Sequence, residues 1–150
     1  MGDGIYLNDI VFSQNVVNVL NLNVSSLSIS DLTGIEAFIS LEWLQCSVNN
    51  ITSLDISNNT ALFALDCSDN QLSTLSIGSN PDITGLDCKN NQFTTLYLKN
   101  NNNTNLSNAN FWCTGNPNLY CIDVDDASWS AGNWTNIDAQ HYFDNNCAGG

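Results

Sequence analysis

Arginine is absent from the 150 residues, and Lys89, Lys99 and the single histidine are the only basic side chains. Against fifteen acids they leave a formal charge of −13. A nucleic-acid partner needs a basic footprint, and an anionic lipid surface repels such a chain, so both partner classes are excluded. Neutral glycans, basic proteins and divalent cations remain, and solubility alone would also account for the charge. One histidine cannot form a paired-His site, and no Gly-x-Ser-x-Gly or glycine-rich phosphate loop occurs, so no catalytic residue is assigned and the chain is not read as an enzyme. No apolar run approaches the ~20 residues of a membrane span, so membrane insertion is not expected. The start, Met1-Gly-Asp-Gly4, has neither the basic region nor the apolar stretch of a signal peptide. The sequence therefore reads as intracellular or as a segment of a longer secreted parent. Gly149-Gly150 would fit the end of such a segment.

What the chain does have is a period. Apolar residues make up 43% of it, enough for a core. Cysteine recurs every 21 residues at 46, 67 and 88, in Leu44-Gln-Cys46-Ser-Val-Asn49, Leu65-Asp-Cys67-Ser-Asp-Asn70 and Leu86-Asp-Cys88-Lys-Asn-Asn91. A fourth copy, Phe111-Trp-Cys113-Thr-Gly-Asn116, follows after 25. A fixed period of this length means stacked repeats and points to a binding surface more than to an enzyme. Aligned on cysteine, the turns read L-x-x-L-x-C-x-x-N-x-L-x-x-L-x-I, whose first part matches the leucine-rich repeat signature of a strand plus an asparagine turn.

Leu-x-Cys alternates with period two, so both side chains enter the core from one short strand. Asn49, Asn70, Asn91 and Asn116 should turn inward as a structural ladder, satisfying backbone groups of their own and neighbouring turns. Leu54-Asp-Ile56, Leu75-Ser-Ile77 and Leu96-Tyr-Leu98 suggest short strands on the opposite side. Ser, Thr and Asn crowd the intervals and disfavour helix. Leu20-Asn-Leu22-Asn-Val24 reads as a degraded earlier turn. Ile29, Leu32, Ile35 and Phe38, three apart, predict a turn or short helix. The expected architecture is a leucine-rich repeat solenoid (α/β class by convention) of mostly short parallel strands and turns with little helix, about five turns capped at both ends. It forms one domain over 1–150: an N-terminal cap at 1–19, repeats at 20–118, a C-terminal cap at 119–150.

These features resemble the secreted leucine-rich repeat proteins of Bacteroidetes-type bacteria. The matching residues are Ile29-Ser-Asp-Leu-Thr-Gly-Ile-Glu-Ala-Phe38, Leu54-Asp-Ile-Ser-Asn-Asn-Thr-Ala-Leu62 and the Leu-Asp-Cys-Ser-x-Asn-Gln-Leu block at 65–72. The tail through Cys121-Ile-Asp-Val-Asp-Asp126 to Cys147 looks like that family's C-terminal cap. The resemblance implies export, often within larger surface proteins that carry a sorting domain after the repeats; no sorting domain is present here. It therefore implies an extracellular or cell-surface location and does not imply one ligand.

Cys46, Cys67, Cys88 and Cys113 occupy equivalent inward positions and should form a ladder of reduced thiols. In-register Cβ vectors stay ~4.8 Å apart, beyond the ~3.8 Å usual for a disulfide. A tetrathiolate zinc site needs four sulfurs around one point, which a linear ladder does not offer. Cys121 and Cys147 lie outside the ladder, bracket the cap and are expected to be bonded, which implies an oxidising location.

The outward positions of the main strands give the candidate ligand-binding face, the concave side of such a solenoid: Gln45 and Ser47; Asp66, Ser68 and Asp69; Asp87, Lys89 and Asn90; Trp112 and Thr114. Trp112 could stack on a sugar ring or anchor a protein contact, or else pack against the cap. Trp43, just before a strand, reads as edge packing. No cofactor is expected. Asp66, Asp69 and Asp87 on adjacent turns would hold Ca²⁺ weakly at best, and Asp123, Asp125 and Asp126 lack the rest of a calcium loop. Asp66 and Asp87 come near the spacing of a glycosidase pair, but a shallow face would not raise one pKa. The Asn-rich segment at 100–105 carries the four-residue insertion and maps to a loop. The function that fits is recognition or adhesion, with a protein or glycan bound on the strand face. The alternatives are a spacer within a larger surface protein and, remotely, ice or mineral binding through the hydroxyls stacked at Thr52, Ser73 and Thr94 and at Ser53, Thr74 and Thr95.

Overall fold

Residues 16–147 are described by the computed structural model. The expected N-terminal cap at 1–19 thus falls mostly outside the described residues, as does Gly149-Gly150. Two parallel sheets face each other across the core. The first runs β1 (Asn21–Asn23), β2 (Trp43–Gln45), β3 (Ala64–Asp66), β5 (Gly85–Asp87), β7 (Phe111–Trp112), and the second β4 (Thr74–Ser76), β6 (Thr95–Tyr97), β8 (Cys121–Asp123), β9 (Tyr142–Asp144). Register follows the repeat: Leu22, Leu44, Leu65, Leu86 and Phe111 stand beside one another, as do Leu75 and Leu96. Each strand is short because only its central residue points inward. Leu44, Leu65, Leu86 and Phe111 are buried while their neighbours face out.

The backbone bonding continues one residue past each strand. Cys46 N donates to Asp66 O at 2.8 Å, Cys67 N to Asp87 O at 2.9 Å and Cys88 N to Trp112 O at 2.9 Å. The chain then bends through a left-handed residue, Val48, Asp69 and Asn90 having φ of 53–55° and Gly115 75°. The asparagine that follows closes the bend. Asn70 Nδ2 donates to Cys67 O at 3.2 Å and to Cys46 O one turn back at 3.0 Å, while its Oδ1 accepts Ile51 N–H at 3.0 Å. Asn49 and Asn91 do the same. Asn116 keeps its donors, but its Oδ1 has no partner. On the other side of the solenoid a second set, Asn59, Asn80 and Asn100, is buried and donates back to preceding turns. That set carries the same 21-residue spacing from 59 to 80 and went unremarked in the sequence.

The structure departs from expectation in two places. Residues 54–56 form no strand, and the second sheet begins one repeat later, at β4; on their other side the chain at 31–36 leads into the 3₁₀ turn Ile35–Ala37. The repeat also persists beyond 118: Ile122 pairs in register with Leu96, and Phe143 with Ile122, so β8 and β9 extend the second sheet through the cap. Between them lies α1 (Ala127–Asn133), whose Asp126 caps it by accepting Trp129 N–H at 3.0 Å. Trp134 plugs the core end, its ring 4.6 Å from Phe111 and 5.6 Å from Phe143, and its Nε1–H donates to Leu106 O at 2.7 Å. Cys121 and Cys147 are joined, with Cα atoms 5.7 Å apart. The Asn-rich segment and the residues that follow it form two 3₁₀ turns, Asn103–Asn105 and Asn108–Asn110, with Leu106 buried in the core between them. Among the described residues no helix is long and apolar enough to cross a membrane.

Candidate functional site

Because Leu44 and its equivalents point inward, the residues on both sides of them point out. The first sheet therefore presents two rows. One is Trp43, Ala64 and Gly85, with Asn110 at the next turn; the other is Gln45, Asp66, Asp87 and Trp112. Large side chains stand at the ends and small ones between, which leaves a groove of ≈ 440 Å³ over β3 and β5. Trp43 and Trp112 line its two ends and Phe63 its rim, and all three are exposed. Gly85 is not imposed by packing, since a Cβ there would meet only the Ala64 side chain and Cα, at 3.7 and 4.0 Å.

The two carboxylates in the groove differ. Asp87 Oδ2 pairs with Lys89 Nζ at 2.7 Å, and that bond, helped by the fields of Asp66 and Asp69, holds the Lys89 pKa above its ordinary value. Asp66 Oδ1 accepts from Ser68 N and Oγ at 3.1 and 2.7 Å, and among the described residues nothing donates to its Oδ2.

Of the expected face, Gln45, Asp66, Asp87 and Trp112 line the groove, and Trp112 stays exposed instead of packing on the cap. Ser47 bonds to Ser25, while Lys89 and Thr114 lie in the same row beyond the cysteines. Ser68 is only 4% exposed, its hydroxyl spent on Asp66, so it cannot be a contact residue. Asp69 and Asn90 sit on the left-handed bends and bond to each other at 2.9 Å. Trp43 opens β2 and faces the groove, so edge packing does not describe it. The row through Ala64 and Gly85 was missed although period two already places position 43 outward with position 45.

The acids of the cap do not converge. Asp123 pairs with Lys99 at 3.2 Å, Asp125 accepts Asn103 N–H at 3.3 Å, and Asp126 caps α1. Among the described residues no group of three His, Cys, Asp or Glu is arranged to hold a metal ion. The hydroxyl rows of the second sheet are partly spent internally, Thr95 Oγ1 donating to Thr74 at 3.1 Å, and they end at Tyr97 and the disulfide.

Cys46, Cys67, Cys88 and Cys113 are free and fully buried. Burial, with the field of Asp66 behind it, pushes Cys46 up to about 12 and lifts Cys67 well above the ordinary thiol value. Cys88 is raised as the hydrogen-bonding partner of Cys113 and by burial. Cys113 is lowered to about 7, first by that bond from Cys88 and then, against burial, by His141. His141 Nδ1 accepts Asp138 N–H at 3.3 Å, and its Nε2 lies 3.2 Å from Asn116 O and 3.4 Å from the Asp138 carboxylate. Cys113, His141 and Asp138 thus cluster, with both ring nitrogens turned to Asp138 and Asn116. Neither the thiol nor the ring is exposed to a substrate, so the cluster joins the cap to the ladder.

No protein-family model matches the chain. Over 52 residues, 35% of its length, it is 40% identical to Internalin J of Listeria monocytogenes serotype 4b (strain F2365). The solved functional domain of InlJ from Listeria monocytogenes, which includes a cysteine ladder, matches 74% of the chain with a TM-score of 0.65 at 35% identity. The chain spans 6% of that Internalin J and 24% of the solved InlJ chain. Two parallel sheets of two- and three-residue strands, little helix and this structural likeness make the fold a leucine-rich repeat solenoid.

Proposed function

We propose that the chain is an extracellular recognition or adhesion module that binds a protein or glycan through the outer face of its first sheet. The observation that carries this reading is the groove between Trp43 and Trp112, where exposed aromatic rings flank a floor of alanine and glycine. Aromatic side chains that stay exposed around a concavity, where simple packing would have covered them, are the usual anchors of protein and sugar contacts. Likeness to an internalin and resemblance to secreted bacterial repeat proteins support a surface location. The disulfide supports an oxidising one. Binding needs no cofactor in this reading and involves no catalysis. A glycan and host-protein array probed with wild type and Trp112→Ala tests it. Hits lost in the variant place recognition at the groove, and unchanged hits overturn it.

A second reading, a spacer that presents other domains of a larger surface protein, draws on the 24% share of the InlJ chain that this repeat stack covers. A wild-type protein that is folded by circular dichroism and silent on the array would favour it.

A further inference from the structure

We infer that the groove takes an arginine side chain of a protein partner, its guanidinium hydrogen-bonded to Asp66 and stacked on Trp43. This rests on the recognition reading and names the chemistry of its ligand. Four observations lead to it. The groove is lined by Asp66 and Asp87, and Lys89 bonds directly to Asp87, which leaves the Oδ2 of Asp66 open among the described residues. Asp66, Asp69 and Asp87 set three negative charges against the one of Lys89, and the chain as a whole carries −13. Asp66 on β3 lies one strand from Trp43 on β2 and two residues along it, about 8 Å by strand spacing and rise, which an arginine side chain spans. Gly85 and Ala64 keep the floor open though nothing in the packing demands a glycine there.

A guanidinium suits this pairing better than an ammonium. It is planar, more weakly hydrated, forks onto a carboxylate and stacks on indole at once. A neutral sugar would use the rings but leave the Asp66 carboxylate, already turned toward the groove, without a charged partner. These 150 residues hold no arginine, so neither a side chain of this repeat stack nor a second copy of it can fill the position. The occupant we infer is a basic protein surface.

The probes are a capped alanine-based peptide with one arginine, the same peptide with citrulline, and a neutral trisaccharide. Each is titrated at low salt while the indole N–H signals of Trp43 and Trp112 are followed by NMR. The arginine peptide should shift the Trp43 signal. Citrulline, or Asp66→Asn in the protein, should weaken the binding about tenfold, the worth of one charge-assisted bond. Equal responses to arginine and citrulline, a stronger response to the trisaccharide, or no response to arginine at Trp43 would each overturn the inference. Gly85→Leu, which fills the groove, separates the two levels. Array hits lost in Gly85→Leu but kept in Asp66→Asn leave recognition standing and remove the arginine. Hits kept in both remove the recognition reading itself.

Discussion

Asn91 reaches across a turn boundary: its Nδ2 donates to the Cys67 carbonyl 3.0 Å away in the preceding turn as well as to Cys88 at 3.2 Å in its own. Its Oδ1 meanwhile accepts Leu72 N–H at 3.0 Å. One buried amide thus satisfies three backbone groups that water cannot reach. Asn91→Ala should destabilise the domain by at least about 3 kcal/mol, since each of the three orphaned buried groups costs about 1–3 kcal/mol. Asn116→Ala should cost less, because the Asn116 Oδ1 has no partner to lose. Urea unfolding of the two variants side by side checks the ranking, and equal losses would contradict it.

Two glycines in the strand–bend unit should respond oppositely to alanine. Gly115 has φ +75°, and a Cβ there would run into the Asn90 side-chain oxygen and lie 3.1 Å from Asn90 N. Val48, Asp69 and Asn90 carry side chains at the equivalent bend, so the dihedral alone does not require glycine; the contact with Asn90 does. Gly115→Ala should cost about 1–3 kcal/mol. Gly85→Ala, with only Ala64 nearby, should be neutral or stabilise by about 0.5 kcal/mol. Thermal melts of both proteins decide the matter.

The 21-residue period made the first sheet legible from sequence because its three central turns repeat the same inward Leu, Cys and Asn, and each is buried as its spacing requires. The groove was harder to read. It depends on contrast between turns, large at 43 and 112 and small at 64 and 85, and a repeat alignment averages such contrast away. Ser68 was misplaced because serine on a period-two outward position gives no hint that Asp66 will draw its hydroxyl under the surface. The Cys113–His141–Asp138 contact joins residues 25–28 apart through a cap that lacks the Leu-x-Cys-x-x-Asn signature, so no pattern in the sequence announces it.

The thiol ladder makes stability sensitive to alkali. Cys46, Cys67 and Cys88 have folded values raised above the ordinary 9.0, Cys46 to about 12. The unfolded chain therefore releases these protons first. The stabilisation is complete below pH 9 and is lost as pH climbs toward the folded values, by about 1.4 kcal/mol per pH unit for each thiol. Unfolding free energy should fall steeply between pH 9 and 11, and Cys67→Ala should flatten the fall. Cys113 behaves oppositely: lowered to about 7, it should give the native protein a single thiolate absorbance at 240 nm by pH 8 that Cys113→Ser removes.

Two fastenings close the C-terminal end, and their strengths should differ. The disulfide joins Cys121 on β8 to Cys147, a separation of 26 residues, and chain entropy gives such a loop about 3 kcal/mol. Trp134 does more: it is 1% exposed, meets Phe111, Trp129 and Phe143, and donates to Leu106 O. Trp134→Ala should cost about 3–5 kcal/mol, the range for deleting a buried aromatic ring. Trp134→Phe should restore much of the packing yet leave the Leu106 carbonyl without its donor, at about 1–3 kcal/mol. Cys147→Ser should match reduction of the wild type, because the four ladder thiols are already reduced and have nothing to lose. Denaturant midpoints with and without reductant test the whole series. A reductant effect that persists in Cys147→Ser would mean that the ladder holds a second disulfide.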